Sequence, residues 1–351
     1  MKLYTCSHCG NPLYFENTVC LNCNNTVGFD ANQLSMITLA PKEGNTFSNI
    51  NKSKELYRFC DNASRNTCNW LIPKDDPAIF CKACALNRII PTLNTPENIA
   101  RWRRMEIAKH RLVYSLLELK LPVEPKQDGS VEGIAFDFME NVSPTEKIMT
   151  GHDEGVITIN IDEADEATRV QHKLNLGERY RTLLGHFRHE IGHYYWDVLI
   201  QPNPQEFRKL FGNDELDYSE ALELYYKNGA PANWIDNYIS PYATSHAWED
   251  WAETWALYLH MMDTLETAFS FGINIDPKKA SDNEMKAKIN QDPYTVDKFD
   301  TIIKMWLPLT FALNSLSRSM GHADFYPFVI SKPVIEKLRF IHDTCKKKQK
   351  A

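Results

Sequence analysis

Residues 185–197 read Gly185-His-Phe-Arg-His-Glu-Ile-Gly-His-Tyr-Tyr-Trp-Asp197 and contain an HExxH motif. His189 and His193 are four residues apart, so on a helix their imidazoles share one face, about 6 Å apart along the axis. Side chains placed in this way can direct two nitrogens at one zinc ion, and Glu190 would stand beside the open coordination position. Apolar residues at helical spacing before and after the motif predict that the whole stretch is a helix.

The five-residue motif alone arises by chance in roughly a few per cent of such chains. The prediction of a zinc site therefore needs a third metal ligand elsewhere in the chain. The metzincin extension is excluded, since Trp196 and Leu199 stand where that class has glycine and histidine. Asp197 continues the helical row but lies about 12 Å from His189 along the axis. We therefore predict a structural or supporting role for Asp197. Gly192 carries no side chain that would obstruct a close neighbour.

A better source of the third ligand is the segment Ser-His-Ala-Trp-Glu-Asp-Trp-Ala-Glu-Thr-Trp, residues 245–255. Glu249 and Glu253 share a face of the predicted helix. One acid can bind the metal while the other accepts the N–H of a ligating histidine. The alternative is a surface helix with two solvated acids. Three tryptophans flank the acids and favour burial instead: Trp248, Trp251 and Trp255.

The cysteines form a separate pattern, because eight of the nine fall within the first 84 residues. No export signal is evident at the N-terminus, so we expect reduced thiols and metal binding rather than disulfides. The spacing predicts two structural zinc sites, one at Cys6, Cys9, Cys20 and Cys23 and the other at Cys60, Cys68, Cys81 and Cys84. The alternatives are small buried hydrophobic side chains or a redox-active CxxC pair.

These patterns predict an α+β chain with two domains. A zinc-ribbon domain over residues 1–95 would precede a mainly helical domain with a small sheet over residues 96–345. A basic, frayed tail would follow over residues 346–351. A helix is predicted from Pro96 to about Lys120 with a solvated basic face, and strands at 133–138 and 156–161. We expect the second strand to be a sheet edge that pairs with an extended substrate.

Composition excludes several classes of protein. The 351 residues carry a net charge of −7, which argues against a dedicated nucleic-acid binder. No run approaches the roughly 18 apolar residues of a membrane span. Together with the reduced cysteines, this predicts a cytoplasmic protein.

The motifs resemble those of the gluzincin metallopeptidases, and Glu249 with Tyr242 seven positions earlier is similar to the metal site of anthrax lethal factor. Nearly the whole chain resembles a bacterial family of zinc-binding metallopeptidases with an N-terminal zinc ribbon. The resemblance rests on residues 9–17, 180–196 and 248–256.

The resemblance implies catalytic zinc held by three ligands, His189, His193 and Glu249. It further implies that Glu190 is the general base, that Glu253 is the partner of a ligating histidine, and that Tyr242 stabilises the oxyanion. A plain aromatic role for Tyr242 stays open, and for His186 and His246 we expect packing or surface roles.

We therefore expect a zinc metallopeptidase with one catalytic and two structural zinc ions and a peptide or protein substrate. Endo- and exopeptidase activity are both open. One alternative is an adaptor whose zinc ribbons bind a protein or nucleic acid while the peptidase-like body is inert. Another is self-directed proteolysis, in which the zinc-ribbon domain restrains the active-site cleft of the peptidase domain until it is released.

Overall fold

A computed structural model describes residues 2–127, 129–130, 132–141, 143, 148–166, 168, 182–279, 284–326 and 329–350. The chain forms two compact units, residues 1–165 and 166–351. The predicted domain boundary at residue 95 falls inside the first unit, because the helix and strands that follow it pack with the cysteine-rich head. The chain is mixed α+β, as predicted, with a cysteine-rich head of short strands followed by a mainly helical body.

The head is built from short antiparallel strands. The first two form a hairpin, and the next five form one sheet in sequential order. The strands are β1 (Tyr4–Thr5), β2 (Pro12–Leu13), β3 (Thr26–Asp30), β4 (Ser35–Pro41), β5 (Phe47–Asn49), β6 (Lys52–Phe59) and β7 (Leu71–Pro73).

An aromatic cluster fills the centre of the first unit. Phe29 lies 4.8 Å from both Phe15 and Trp70, measured between ring centroids, and Tyr114 lies 5.4 Å from Phe15. All four rings are buried. Because Tyr114 belongs to the helix after residue 95, this cluster joins that helix to the head.

Helix α1 (Pro96–Glu118) begins where the sequence predicts, with the Thr95 side chain accepting a backbone N–H and proline at the first turn. The predicted solvated basic face is correct for Arg103 and Arg104, which are exposed, and wrong for Lys109. Lys109 is fully buried, and Arg101 forms an ion pair of 2.6 Å with Asp165. The helix therefore uses some of its cations for contacts within the first unit.

A second sheet in this unit has the strand order β10-β11-β9-β8. Its strands are β8 (Asn87–Ile89), β9 (Ala135–Met139), β10 (Gly151–Asp153) and β11 (Val156–Asn160). Both predicted strands are present as β9 and β11. The expectation that residues 156–161 form a sheet edge is wrong, because β11 pairs with β9 on one side and with β10 on the other. Its backbone N–H and C=O groups are hydrogen-bonded to the strands on both sides and are not available to a substrate.

The second unit is mainly helical. Its helices are α2 (Leu183–Leu199), α3 (Gln205–Phe211), α4 (Tyr218–Asn228), α5 (Ala247–Ser270), α6 (Phe299–Ser319) and α7 (Lys332–Lys350). A two-stranded ribbon pairs β12 (Asn274–Ile275) with β13 (Ala287–Lys288). Among the described residues, no helix has both the length and the apolarity needed to cross a membrane.

Helices α2 and α5 approach each other closely at Gly192. A Cβ atom added to Gly192 would lie 3.2 Å from the Cα atom of Ala252 and 3.2 Å from Cδ1 of Trp255. The indole of Trp251 donates a hydrogen bond of 2.8 Å to the carbonyl of Gly192. The missing side chain therefore permits the close contact that the sequence suggests.

The C-terminal helix continues through the predicted tail. Lys346 is buried, and its ammonium group donates to the carbonyl of Tyr294 at 2.8 Å. The expectation of a frayed tail is therefore wrong for the part of residues 346–351 that the structure describes, since helix α7 extends to Lys350, whereas Lys347 and Lys348 are exposed as expected.

Candidate metal centres

Helix α2 presents its two histidines to one point. Its first turn is capped by Thr182, whose hydroxyl accepts from the backbone N–H of Gly185 at 2.9 Å. His189 and His193 lie one turn apart, and their Nε2 atoms are 3.2 Å from each other. This convergence follows from local helix geometry alone.

Helix α5 brings Glu249 to the same point. Its carboxylate atom Oε2 lies 3.0 Å from Nε2 of His189 and 3.7 Å from Nε2 of His193. Ligand atoms bound tetrahedrally to zinc at about 2.1 Å stand about 3.4 Å apart. The three atoms thus have the spacing of one face of a zinc coordination tetrahedron.

The electrostatics of Glu249 also fit a cation. The side chain is 1% exposed, and Oε2 accepts no hydrogen bond from the residues the structure describes. Burial alone would raise the pKa of Glu249, but His193, His189 and a tyrosine hydroxyl outweigh it and hold the pKa at about 2. A buried, ionised carboxylate oxygen that faces two imidazole nitrogens suits zinc.

Glu253 fixes the tautomer of a histidine. Its Oε1 accepts a hydrogen bond of 2.7 Å from Nδ1 of His189. A proton on Nδ1 leaves Nε2 with a free lone pair that points at the converging atoms. Glu249 and Glu253 therefore have different contacts in the structure. Glu249 faces the two Nε2 atoms, and Glu253 supports His189.

Glu190 lies buried next to the converging histidines. Its Oε1 is 3.1 Å from Nε2 of His186, which is one turn earlier on α2. Burial would raise the pKa of Glu190, but the hydrogen bond to His186 outweighs it and lowers the pKa. Glu190 is therefore ionised at neutral pH and able to accept a proton. His186, expected to serve packing or the surface, contacts this carboxylate instead.

Tyr242 lies in a short turn, Tyr242–Thr244, just before α5. Its ring centroid is 6.2 Å from that of His189. Burial, followed by the charge of Glu249, raises its pKa well above the usual range. The hydroxyl therefore keeps its proton and can donate a hydrogen bond.

The other residues that the sequence analysis considered near the metal have capping or packing roles. His246 caps α5 by accepting from the N–H of Trp248 at 3.1 Å, and its Nε2 donates to the carbonyl of Leu216 at 3.2 Å. The indole of Trp248 packs at 3.9 Å from the ring of His193, while Trp251 is fully buried. Asp197 is not among the converging atoms of the described residues.

Sequence reasoning did not find Tyr218, the first residue of α4. Its hydroxyl donates a hydrogen bond of 2.6 Å to Oε1 of Glu249. No spacing rule links a tyrosine to an acid on another helix, so the primary structure contains no signal for this contact. A buried ion pair behind the centre was also missed, in which Nζ of Lys337 donates to Oδ2 of Asp250 at 2.6 Å. Despite Lys337, burial raises the pKa of Asp250 to about 7.

The first cysteine quartet converges in the head. The Sγ atoms of Cys6 and Cys23 lie 3.7 Å apart, and those of Cys9 and Cys20 lie 3.6 Å apart. Sulfur ligands of tetrahedral zinc stand about 3.8 Å apart, whereas a disulfide requires about 2.05 Å. The arrangement therefore fits a Cys₄ zinc site.

The second quartet brings together Cys60, Cys68, Cys81 and Cys84, which are all buried. Helix α1 contributes His110, whose Nε2 lies 3.3 Å from Sγ of Cys68 and 3.7 Å from Sγ of Cys84. Burial opposes protonation of His110, but the adjacent Cys84 outweighs it and raises the pKa. An imidazole N–H directed at a thiolate sulfur can donate to it, so α1 supports this site.

Comparison with known proteins agrees with both parts of the chain. Residues 98–344 match the model of a family described as "Putative zinc-binding metallo-peptidase", and residues 3–95 match a zinc-ribbon domain. One protein of Mycobacterium bovis and two from strains of Mycobacterium tuberculosis, each named as uncharacterized, are 40% identical over 345 residues. The match covers 97% of this chain and 94% of each relative. No solved structure matches the chain.

Proposed function

This chain belongs to the zinc-binding metallo-peptidase family whose model covers residues 98–344, and on that premise we propose that it hydrolyses peptide bonds at zinc held by His189, His193 and Glu249. The observation that carries the proposal is the convergence of Nε2, Nε2 and Oε2 within 3.0–3.7 Å. The substrate is a peptide or protein. Digestion of a peptide library distinguishes internal from terminal cleavage.

In this proposal each side chain has one task. Zinc, when bound, is a Lewis acid that lowers the pKa of water to about 7 and polarises a carbonyl. Glu190, ionised and buried, accepts a proton from the attacking water and returns it to the leaving amine. Tyr242 donates a hydrogen bond to the oxyanion that develops on the substrate carbonyl. Glu253 keeps the Nε2 lone pair of His189 directed at the centre.

We further propose that the two cysteine quartets hold structural zinc, so the loaded chain contains about three zinc ions. The separations of the sulfur atoms are those of metal ligands rather than disulfides. Cysteines that bind zinc must not be oxidised to disulfides, which is typical of a reducing compartment. We therefore propose a cytoplasmic location.

The test combines zinc analysis with digestion of a peptide library. The variant Glu190→Gln should keep about three zinc ions and lose hydrolysis, while His189→Ala should lose one zinc and keep the other two. Glu223→Gln, an exposed acid on α4, serves as the matched control and should behave as wild type. Undiminished hydrolysis by Glu190→Gln would contradict the proposed base.

The adaptor alternative is distinguished by the same measurements. A chain with an inert body would show no hydrolysis in either wild type or variant. Its zinc ribbons would bind a partner through residues 1–95, and a nucleic-acid partner would be released by salt.

A further inference from the structure

The two carboxylate oxygens of Glu249 face different groups. Oε2 points at the Nε2 atoms of His189 and His193, whereas Oε1 accepts a hydrogen bond of 2.6 Å from the Tyr218 hydroxyl. A charge-assisted O–H···O bond of this length is among the stronger hydrogen bonds in proteins. The carboxylate is therefore held in one rotational state by a group from another helix.

The ring of Tyr218 is itself held in place. It meets the ring of His246 edge-on at 5.5 Å and that of Trp248 edge-on at 5.6 Å, measured between centroids. Both of these residues belong to the start of α5, next to Glu249. At the N-terminal side of Tyr218, Asp217 caps α4 by accepting from a backbone N–H. The hydroxyl is thus positioned by packing on one side and by the helix start on the other.

This arrangement matters because a carboxylate can bind a metal through one oxygen or through both. Binding through both oxygens would add a fifth ligand atom and crowd the coordination position that a hydrolytic site keeps for water and substrate. A hydrogen bond to Oε1 competes with that second contact. Such outer partners typically change metal affinity or activity about 10–100-fold when they are removed.

We propose that Tyr218 is a positioning residue that keeps Glu249 a one-oxygen ligand and thereby keeps the fourth position of the metal open. The inference rests on the proposed function, because it assigns a role to Tyr218 at the same site. Tyr218 is not a ligand and acts only through Glu249.

The test uses the full chain with zinc in both cysteine sites and cobalt(II) exchanged into the histidine–glutamate site. The variant is Tyr218→Phe, which removes one hydroxyl and keeps the ring. The matched control is Tyr226→Phe, which removes a hydroxyl from an exposed side chain on the same helix. The readouts are the visible absorption of cobalt, the zinc affinity by chelator competition, and kcat and KM with one peptide.

In the Tyr218→Phe variant the cobalt absorption should weaken from that of a four-coordinate ion toward that of a five-coordinate ion. We expect kcat to fall about 10–100-fold with little change in KM, since the second oxygen of Glu249 crowds the water position and leaves the substrate contacts unchanged. Tyr226→Phe should match wild type in all readouts. A cobalt spectrum of Tyr218→Phe that is identical to wild type overturns the inference, whatever the activity shows.

A second variant covers the case in which Tyr218→Phe binds no metal at this site. Tyr218→Gln offers an amide donor at the same position and should recover part of the cobalt absorption; no recovery, with the cysteine sites still loaded, would refute the role in positioning. Failure of the proposed function looks different. In that case wild type itself takes up no third metal or cleaves no peptide.

Discussion

Gly192→Ala tests whether the spacing between α2 and α5 determines the metal centre. The glycine lies between the two histidines of α2 and faces Ala252, which lies between the two acids of α5. An added methyl group would meet Cα of Ala252 and Cδ1 of Trp255 at 3.2 Å. Ordinary contacts between carbon atoms are about 3.5–4.0 Å, so the helices must move apart by a few tenths of an ångström.

Two effects of opposite sign set the cost in stability. Overpacking a close contact costs about 1–3 kcal/mol, while alanine improves on glycine in a helix interior by about 1 kcal/mol. We therefore expect a net loss of about 1 kcal/mol in the free energy of unfolding. The larger effect falls on the metal, because zinc–ligand distances tolerate changes of only about 0.2 Å. If about 1.4 kcal/mol of strain opposes the closed spacing, zinc binds about tenfold more weakly.

The assay is chelator competition for zinc at the histidine–glutamate site, combined with urea unfolding and peptide hydrolysis. Gly151→Ala is the matched control, because no atom lies within 4 Å of a Cβ added there. A Gly192→Ala protein that folds normally and binds zinc as tightly as wild type would refute the argument that the helix spacing positions the ligands.

Three further predictions concern the partners of the ligands. Glu253→Ala should weaken zinc binding about 10–100-fold, because His189 loses the acceptor that fixes its tautomer, and chelator competition measures this. Asp250 has a folded pKa of about 7 against its usual 3.8, so it binds more protons when folded, and its contribution to stability falls as pH rises from about 4 to 7. Lys337→Met should cost about 1.4 kcal/mol more at pH 8 than at pH 5, because above its pKa of about 7 the wild-type carboxyl is ionised beside Lys337, whereas burial keeps it protonated in the variant; equal losses in urea unfolding at both values would contradict this. Cys81→Ser should lose one zinc and leave the histidine–glutamate site loaded, which metal analysis with peptide hydrolysis checks.

Much of the candidate site is visible in the primary structure because its geometry is local. Residues four apart on a helix share a face whatever the rest of the chain does, so His189 with His193 and Glu249 with Glu253 could be paired from their spacing. A CxxC pair similarly forms half of a metal site within one turn. The start of α1 at Thr95 follows from capping chemistry, which also involves only neighbouring residues.

Contacts between distant segments were decided by the tertiary structure alone. Spacing could not tell which acid of α5 faces the histidines, since both lie on the same face and only the position of α2 distinguishes them. The hydroxyl of Tyr218, the imidazole of His110 and the buried ammonium of Lys337 reach their partners through packing of separate elements.

The same reason explains the predictions that were wrong. Alternation of apolar residues predicts that 156–161 is a strand, but pairing with β9 and β10 depends on which strands lie beside it. A basic helix face is solvated only if nothing packs on it, and Lys109 is covered by its own unit. The periodicity of a sequence indicates which face of a helix or strand is apolar. Which element packs against that face is determined only when the whole chain buries its apolar surface from water.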